Sequence, residues 1–214
     1  MPVEVKICGI TSEDAMEAAV EAGADYVGLV FFPPSPRCVT PERAAELVEF
    51  LPDDLVKVGL FVDPDDATLD RVLSQVRLDL VQVHGQETPE RLERIRLEFG
   101  LPVMKVIPVA EAADLAVAEP FLAVADRLLF DAKAPKGAPL PGGNAVSFDW
   151  TLLQGRKWGL PWMLAGGLTP ENVAEAVRMT GARAVDVSSG VESAPGIKKD
   201  PARIRAFIKA ARGR

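Results

Sequence analysis

Few side chains in this sequence are suited to proton transfer or nucleophilic attack. The chain has two cysteines, Cys8 and Cys38, and a single histidine, His84. Cys8 ends the segment Val3-Glu4-Val5-Lys6-Ile7-Cys8, where alternation puts Glu4, Lys6 and Cys8 on one strand face and Val3, Val5 and Ile7 on the other. A cation two strand residues away, at roughly 6–7 Å, favours thiolate over thiol. Cys8 is therefore suited to act as a base or a nucleophile, while the competing role for a lone cysteine is that of a small buried hydrophobe. Asp131 closes Leu128-Leu129-Phe130 at the head of a long loop. Partial burial there would raise its pKa and suit it to general acid work, with turn or helix capping as the rival role. His84, in Val83-His84-Gly85, either lines a pocket or serves as a hydrogen-bonded structural imidazole. Asp63 precedes Pro64 and reads as a helix N-cap, and Cys38 lies in a loop without an activating neighbour.

Two glycine-bearing segments suit an anion. Ala165-Gly166-Gly167-Leu168 precedes a helical pattern, and Ser188-Ser189-Gly190 follows a short apolar run. Glycines let backbone amides approach phosphate oxygens closely, so Gly166, Gly167, Ser189 and Gly190 are the candidate phosphate-binding residues. Asp186 shares strand parity with Ser188 and would meet Lys6 if the first and last strands are neighbours.

These groups need a scaffold, and the sequence is periodic enough to define one. Strands are expected at 3–7, 26–31, 56–62, 79–83, 102–107, 127–130, 161–165 and 184–187, with starts 23, 30, 23, 23, 25, 34 and 23 residues apart. Each interval fits a strand, a helix and two short loops, the logic of repeated βα units and a parallel sheet. Thr40-Pro41, Asp63-Pro64, Thr88-Pro89, Thr169-Pro170 and Asp200-Pro201 each offer an N-cap followed by proline at the first helical position, and Thr11-Ser12 opens the first helix. The pattern predicts an α/β fold: one (β/α)8 barrel domain over residues 1–214, with an open doubly wound sheet as runner-up, weakened because no GxGxxG follows the first strand. The two longest intervals place their surplus at 32–40 and 132–147, after strands 2 and 6. Both insertions would lie on the C-terminal face of a barrel, where substrates bind.

Composition narrows the function. With 24 Lys+Arg against 31 Asp+Glu, the net charge of −7 argues against diffuse binding of nucleic acid or an anionic membrane. No apolar stretch approaches the ~18 residues needed to span a bilayer. The start MPVEVKICGIT has no basic n-region or apolar h-region, so a cytoplasmic location is expected. A single histidine and the lack of CxxC exclude a histidine-rich metal site, and no metal is expected.

Read together, the motifs resemble the phosphoribosylanthranilate isomerase family of tryptophan biosynthesis along nearly the whole chain. The matching pieces are Lys6-Ile7-Cys8-Gly9-Ile10-Thr11, Gly28 through Phe32 with Ser35-Pro36-Arg37, Val58-Gly59-Leu60-Phe61-Val62, Val81-Gln82-Val83-His84-Gly85 and Phe130-Asp131. They continue with Ala165-Gly166-Gly167-Leu168, then Pro170 and Asn172-Val173, then Val185 through Glu192, Pro195-Gly196 and Lys198 through Asp200. The resemblance implies a (β/α)8 barrel that carries out an Amadori rearrangement of N-(5-phosphoribosyl)anthranilate without a cofactor. It implies Asp131 as the acid that opens the furanose ring and Cys8 as the base that removes the C2′ proton. Arg37 is implied as partner of the anthranilate carboxylate, suited by its forked donors. Lys6, His84 and Asp186 are expected as supporting pocket residues. The implied partner is a small phosphosugar, with the chain a monomer or homodimer. Another phosphosugar barrel enzyme, or a non-catalytic phosphosugar-binding protein on the same scaffold, is the alternative. One departure stands out: Gly142-Gly143-Asn144-Ala145 occupies a stretch that in the family often reads GGTG. Ala145 removes a permissive backbone position from the loop after strand 6.

Overall fold

β-Branched and apolar runs form eight parallel strands: β1 Glu4–Cys8, β2 Tyr26–Val30, β3 Val56–Phe61, β4 Leu80–Val83, β5 Val103–Val109, β6 Arg127–Ala132, β7 Trp162–Leu164 and β8 Ala184–Val187. In the computed structural model, which describes residues 2–138, 140–194 and 198–213, each strand pairs with the next, and β8 returns to β1 to close the barrel. Register sets Lys6 beside Asp186 across the closure and Cys8 beside Gly28 on the other side of β1. All eight strands fall where the periodicity places them. The open-sheet alternative is excluded by the β1–β8 pairing.

The strands separate two apolar layers. Val5, Ile7, Val27, Leu29, Val81 and Val185 face outward and join the core formed with Ala15, Leu69, Leu92, Ile95, Ile204 and Phe207 from the surrounding helices. Tyr26, Val58, Leu80, Met104, Leu129 and Met163 fill the barrel interior. Each large apolar side chain buried in this way contributes roughly 1.5–3 kcal/mol. The two layers thus form a rigid floor beneath the polar residues at the C-terminal mouth.

Helices α1 Glu13–Glu21, α2 Pro41–Val48, α3 Asp66–Leu73, α4 Pro89–Phe99, α5 Val173–Thr180 and α6 Pro201–Ala211 cover the barrel. Thr40, Thr88 and Asp200 cap α2, α4 and α6 as expected, accepting from the amides of Arg43, Arg91 and Ala202. Two expected caps are displaced. Asp65, not Asp63, caps α3 by accepting from the Thr68 amide, because Asp63 adopts a left-handed φ of 46° that a cap residue does not use. Asn172, not Thr169, occupies the cap position of α5, and Thr169 instead exchanges hydrogen bonds within the preceding turn. Ser12 precedes α1 without a side-chain cap bond.

Units five and six depart from a regular helix. The segments Ala112–Phe121 and Trp150–Leu153 are 3-10 helices. Pro120 inside the first removes a donor and opposes an α-helical turn, while Gly155 at φ 70° lies just beyond the second. A small antiparallel ribbon, β9 Glu192–Ala194 with β10 Lys198–Lys199, stands between β8 and α6 and was not expected from the strand pattern. Pro195 and Gly196, quoted above for the resemblance, lie outside the described residues.

Candidate active site

Strand parity delivers one polar side chain after another to the mouth of the barrel. Cys8 from β1, Gln82 from β4, Asp131 from β6 and Asp186 from β8 line one recess, with His84 just past β4 and Ser188 just past β8. Lys6 lies one layer deeper and is fully buried, with Nζ 2.8 Å from Asp186 Oδ1, as the closed-sheet argument predicted. Gly28 makes this arrangement possible. A Cβ there would sit 2.9 Å from Cys8 Sγ and 3.1 Å from Lys6 Nζ.

Burial reverses the expected direction of the Cys8 shift. The thiol lies above its ordinary value, because removal of the thiolate from water outweighs attraction to Lys6, and Asp186 adds repulsion. Lys6 limits the rise but does not overcome it. Asp131 behaves as expected of a general acid: burial, with repulsion from Asp186, pushes it up to about 7. The Ala132 amide, donating to Asp131 Oδ1 at 2.8 Å, and the more distant Lys6 hold the rise in check.

His84 faces Asp131, with Nε2 3.6 Å from Oδ2, beyond hydrogen-bond range. Burial, reinforced by Lys105 and Lys6, pushes the imidazole down to about 3, so this contact is between a neutral ring and an acid rather than an ion pair. His84 Nε2 finds no partner among the described residues, so the structural-imidazole role is not met at that nitrogen. The backbone around His84 is firmly held. Glu87 accepts from the amides of Asp63 at 2.9 Å and Gly85 at 3.0 Å, and Lys105 Nζ donates to it at 2.6 Å.

Both insertions reach the recess. From the first, Arg37 donates through Nε to Glu192 Oε1 at 2.7 Å and through Nη2 to Glu192 Oε2 at 3.0 Å, with a longer bond to the Gly143 carbonyl at 3.3 Å. From the second, Gly142 lies against His84 and Asp131, while a Cβ on Gly143 would come within 2.6 Å of Arg37 Nη1. An adjoining recess is lined by Gly166, Gly167, Ser189 and Gly190, and shares Asp131, Gly143, Asp186 and Ser188 with the first. Gly166 and Gly167 have φ of 83° and 68°, left-handed values that side chains rarely adopt, so this wall of the recess is bare backbone. All of the expected site residues therefore gather at one end of the barrel. Cys38 is part-buried in the first insertion, paired with the end of β2, and does not line the recess.

Several residues were not singled out from the sequence. Gln82 was legible, being two strand positions before His84 and therefore on the same face. Glu192 and Lys199 form a buried network with Arg37, and Glu87 and Lys105 form the support beneath His84. No local pattern in the sequence marks either pair.

A closed eight-stranded barrel with ionisable groups and a glycine-lined recess at its C-terminal mouth defines the class: a (β/α)8-barrel enzyme. The family model described as N-(5'phosphoribosyl)anthranilate (PRA) isomerase matches residues 5–210. The chain is 81% identical over 213 residues to the N-(5'-phosphoribosyl)anthranilate isomerase of Paramagnetospirillum magneticum, covering 100% of this chain and 99% of the relative. It is 59% identical to that of Rhodospirillum rubrum, covering 97% of each. Among solved structures it is similar to phosphoribosyl anthranilate isomerase from Thermotoga maritima, with TM-score 0.88, 39% identity and coverage of 99% of this chain and 100% of that one. A phosphoribosyl anthranilate isomerase solved in complex with reduced 1-(o-carboxyphenylamino)-1-deoxyribulose 5-phosphate gives TM-score 0.86 at 38% identity, with the same coverage. The chain belongs to the N-(5'-phosphoribosyl)anthranilate isomerase family, enzymes of tryptophan biosynthesis.

Proposed function

We propose that the chain isomerises N-(5'-phosphoribosyl)anthranilate by proton transfer between Asp131, Cys8 and the sugar. The observation that carries the residue roles is the pairing, in one recess, of a carboxyl pushed up to about 7 with a thiol held next to a buried ammonium. Asp131 gives its proton to the furanose ring oxygen. The C1′–O bond breaks, and the anthranilate nitrogen lone pair forms the C1′=N bond of a protonated Schiff base. The Cys8 thiolate then removes the C2′ proton, and the C–H electrons flow toward nitrogen to give the enolamine. Tautomerisation moves a proton from the C2′ hydroxyl to C1′ and yields the aminoketose. One proton must return from Cys8 to Asp131 through water before the next turnover.

Lys6 supports the thiolate, and Asp186 fixes Lys6 while raising Asp131. The neutral His84 ring stands 3.6 Å from Asp131 and adds no positive charge that would favour the carboxylate. In this reading the amides of Gly166, Gly167, Ser189 and Gly190 take the phosphate, and Arg37 takes the anthranilate carboxylate with donors not engaged by Glu192. The reaction as written needs no cofactor or metal. We further propose action in the cytoplasm by a single barrel domain, as monomer or homodimer. No helix among the described residues is long and apolar enough to cross a membrane. The choice between monomer and homodimer is supported by a relative from Thermotoga maritima, a dimeric phosphoribosylanthranilate isomerase from which monomers were generated.

Loss of phosphoribosylanthranilate fluorescence on adding purified protein tests the activity. Cys8→Ser is expected to lower kcat by about 10²–10⁴-fold, the scale of one lost proton-transfer group. Near-normal turnover of that variant would remove Cys8 from the mechanism.

A further inference from the structure

Resting on that reading, we infer that Glu192 and Lys199 are positioning residues which tune recognition at the two anionic ends of the substrate. Neither touches the reacting atoms. Their side chains are each only 2% exposed, and they meet at 2.6 Å. Burying such a pair costs desolvation that mutual attraction does not reliably recover, so stability alone is a poor reason to retain it. The geometry supplies another reason. Glu192 engages Arg37 through both carboxylate oxygens, which spends the Nε/Nη2 edge of the guanidinium and fixes its plane. The Nη1 end is left beside Gly143 in the recess lined by Cys8 and Asp131. A flexible arginine would lose rotamer freedom on each binding event, and one held by Glu192 has already lost it.

Lys199 acts on both ends. Its ammonium donates to Glu192 Oε1, to the Ser188 carbonyl at 3.0 Å and to Ser188 Oγ at 3.1 Å. The same cation balances the carboxylate that holds Arg37 and anchors the residue immediately before the Ser189 and Gly190 amides. The ribbon between β8 and α6 places it there, since register sets Lys199 opposite Glu192.

Competitive inhibition separates the two ends. Anthranilate probes the carboxylate end and inorganic phosphate the other, each measured against substrate turnover by the full chain. Glu192→Gln is expected to raise the anthranilate Ki at least about fivefold, the scale of a weakened charge-assisted contact. It should leave the phosphate Ki within about twofold. Lys199→Met is expected to raise both, and in both variants KM should rise more than kcat falls, as befits lost binding rather than lost chemistry. Lys199→Arg, which keeps the charge, should recover most of both effects. If Lys199→Met does not fold, the double variant Glu192→Gln/Lys199→Met removes both charges of the buried pair together and should show the same two raised constants. Equal shifts of both constants in Glu192→Gln, or loss of kcat at unchanged KM, would overturn the inference. Absence of turnover in the unaltered protein would instead defeat the activity reading, so the two failures are distinct.

Discussion

Replacing Asp131 with asparagine should cripple turnover and, at alkaline pH, make the protein more stable. The Asp131 carboxyl ordinarily titrates at 3.8 and is pushed up to about 7 in the fold. The folded state therefore holds this proton more tightly than the unfolded chain. Its contribution to stability is fully present below the unfolded pKa, falls as pH rises, and is gone once pH has passed the folded pKa. At about 1.36 kcal/mol per unit, the full difference is roughly 4 kcal/mol above pH 8, and about 1.6 kcal/mol has already been lost at pH 5. These are upper limits, because the side chain is 15% exposed in an open recess where water screens the charge. Asparagine has no proton to lose. It keeps an oxygen to accept from the Ala132 amide, and it brings an amide donor toward His84 Nε2, which Oδ2 approaches to 3.6 Å.

Urea unfolding of both proteins at pH 5 and pH 8.5 reads the effect directly. The stability of Asp131→Asn relative to the unaltered protein should rise between those two pH values by up to about 2.5 kcal/mol. The same variant should lose about 10²–10⁴-fold in kcat. A stability gap that does not change with pH would refute the raised carboxyl. A variant that is less stable at pH 8.5 would show that the carboxylate is held by interactions stronger than its desolvation.

Three further outcomes follow. The pH profile of kcat/KM should be bell-shaped, because the productive form needs Asp131 protonated and Cys8 ionised although Asp131 titrates first; the limb near 7 belongs to Asp131 and the alkaline limb to Cys8. In residual Asp131→Asn activity the limb near 7 should vanish, leaving a monotonic rise with pH, and a persistent limb at 7 would assign it elsewhere. Gly28→Ala should cost roughly 1–3 kcal/mol in chemical denaturation by overpacking. It should also lower kcat, since the added methyl group forces Cys8 Sγ or Lys6 Nζ to move, and full activity would show that the barrel end absorbs the volume. Ala145→Gly should stabilise the protein by up to about 1 kcal/mol in thermal unfolding, because Ala145 sits at φ 55°, where a side chain is strained, although glycine gains entropy in the unfolded chain. Unchanged or lowered Tm would show that the loop does not depend on this backbone strain.

The fold was legible wherever a local rule sufficed. Short apolar runs recurring at near-regular intervals located all eight strands, and parity with the closed register was enough to pair Lys6 with Asp186 from opposite ends of the chain. Proline-marked helix starts were legible at Thr40, Thr88 and Asp200 and misleading at Asp63, because the motif Asp63-Pro64-Asp65 offers two carboxylates and only tertiary contacts select between them. Asp63 is held away from cap geometry by accepting from the Gln86 amide in the next loop and by donating its own amide to Glu87. The site was legible to the same depth. A neighbouring Lys6 is visible beside Cys8 in the sequence, but the desolvation that outweighs it is a property of the whole barrel mouth. Glu192 was visible only as part of a matching segment, and its role was not, because its partner Arg37 is 155 residues away and no periodicity links them.

Charge placement explains how an acidic chain of net −7 can hold a substrate bearing both phosphate and carboxylate. At the mouth, Lys6 pairs with Asp186, and Arg37 and Lys199 share Glu192, so within this set, with Asp131 protonated and Cys8 neutral, the cations prevail by one. The balance is lost if both Asp131 and Cys8 ionise. An anionic substrate therefore favours retention of the Asp131 proton, the form that opens the ring, and disfavours the Cys8 thiolate needed in the following step. Ring opening partly relieves this conflict, since the Schiff base carries a positive charge on nitrogen beside C1′ just when the thiolate must act on C2′. The acid step thus creates the local charge that the base step requires, and the order of the two proton transfers follows from electrostatics as well as from bond chemistry.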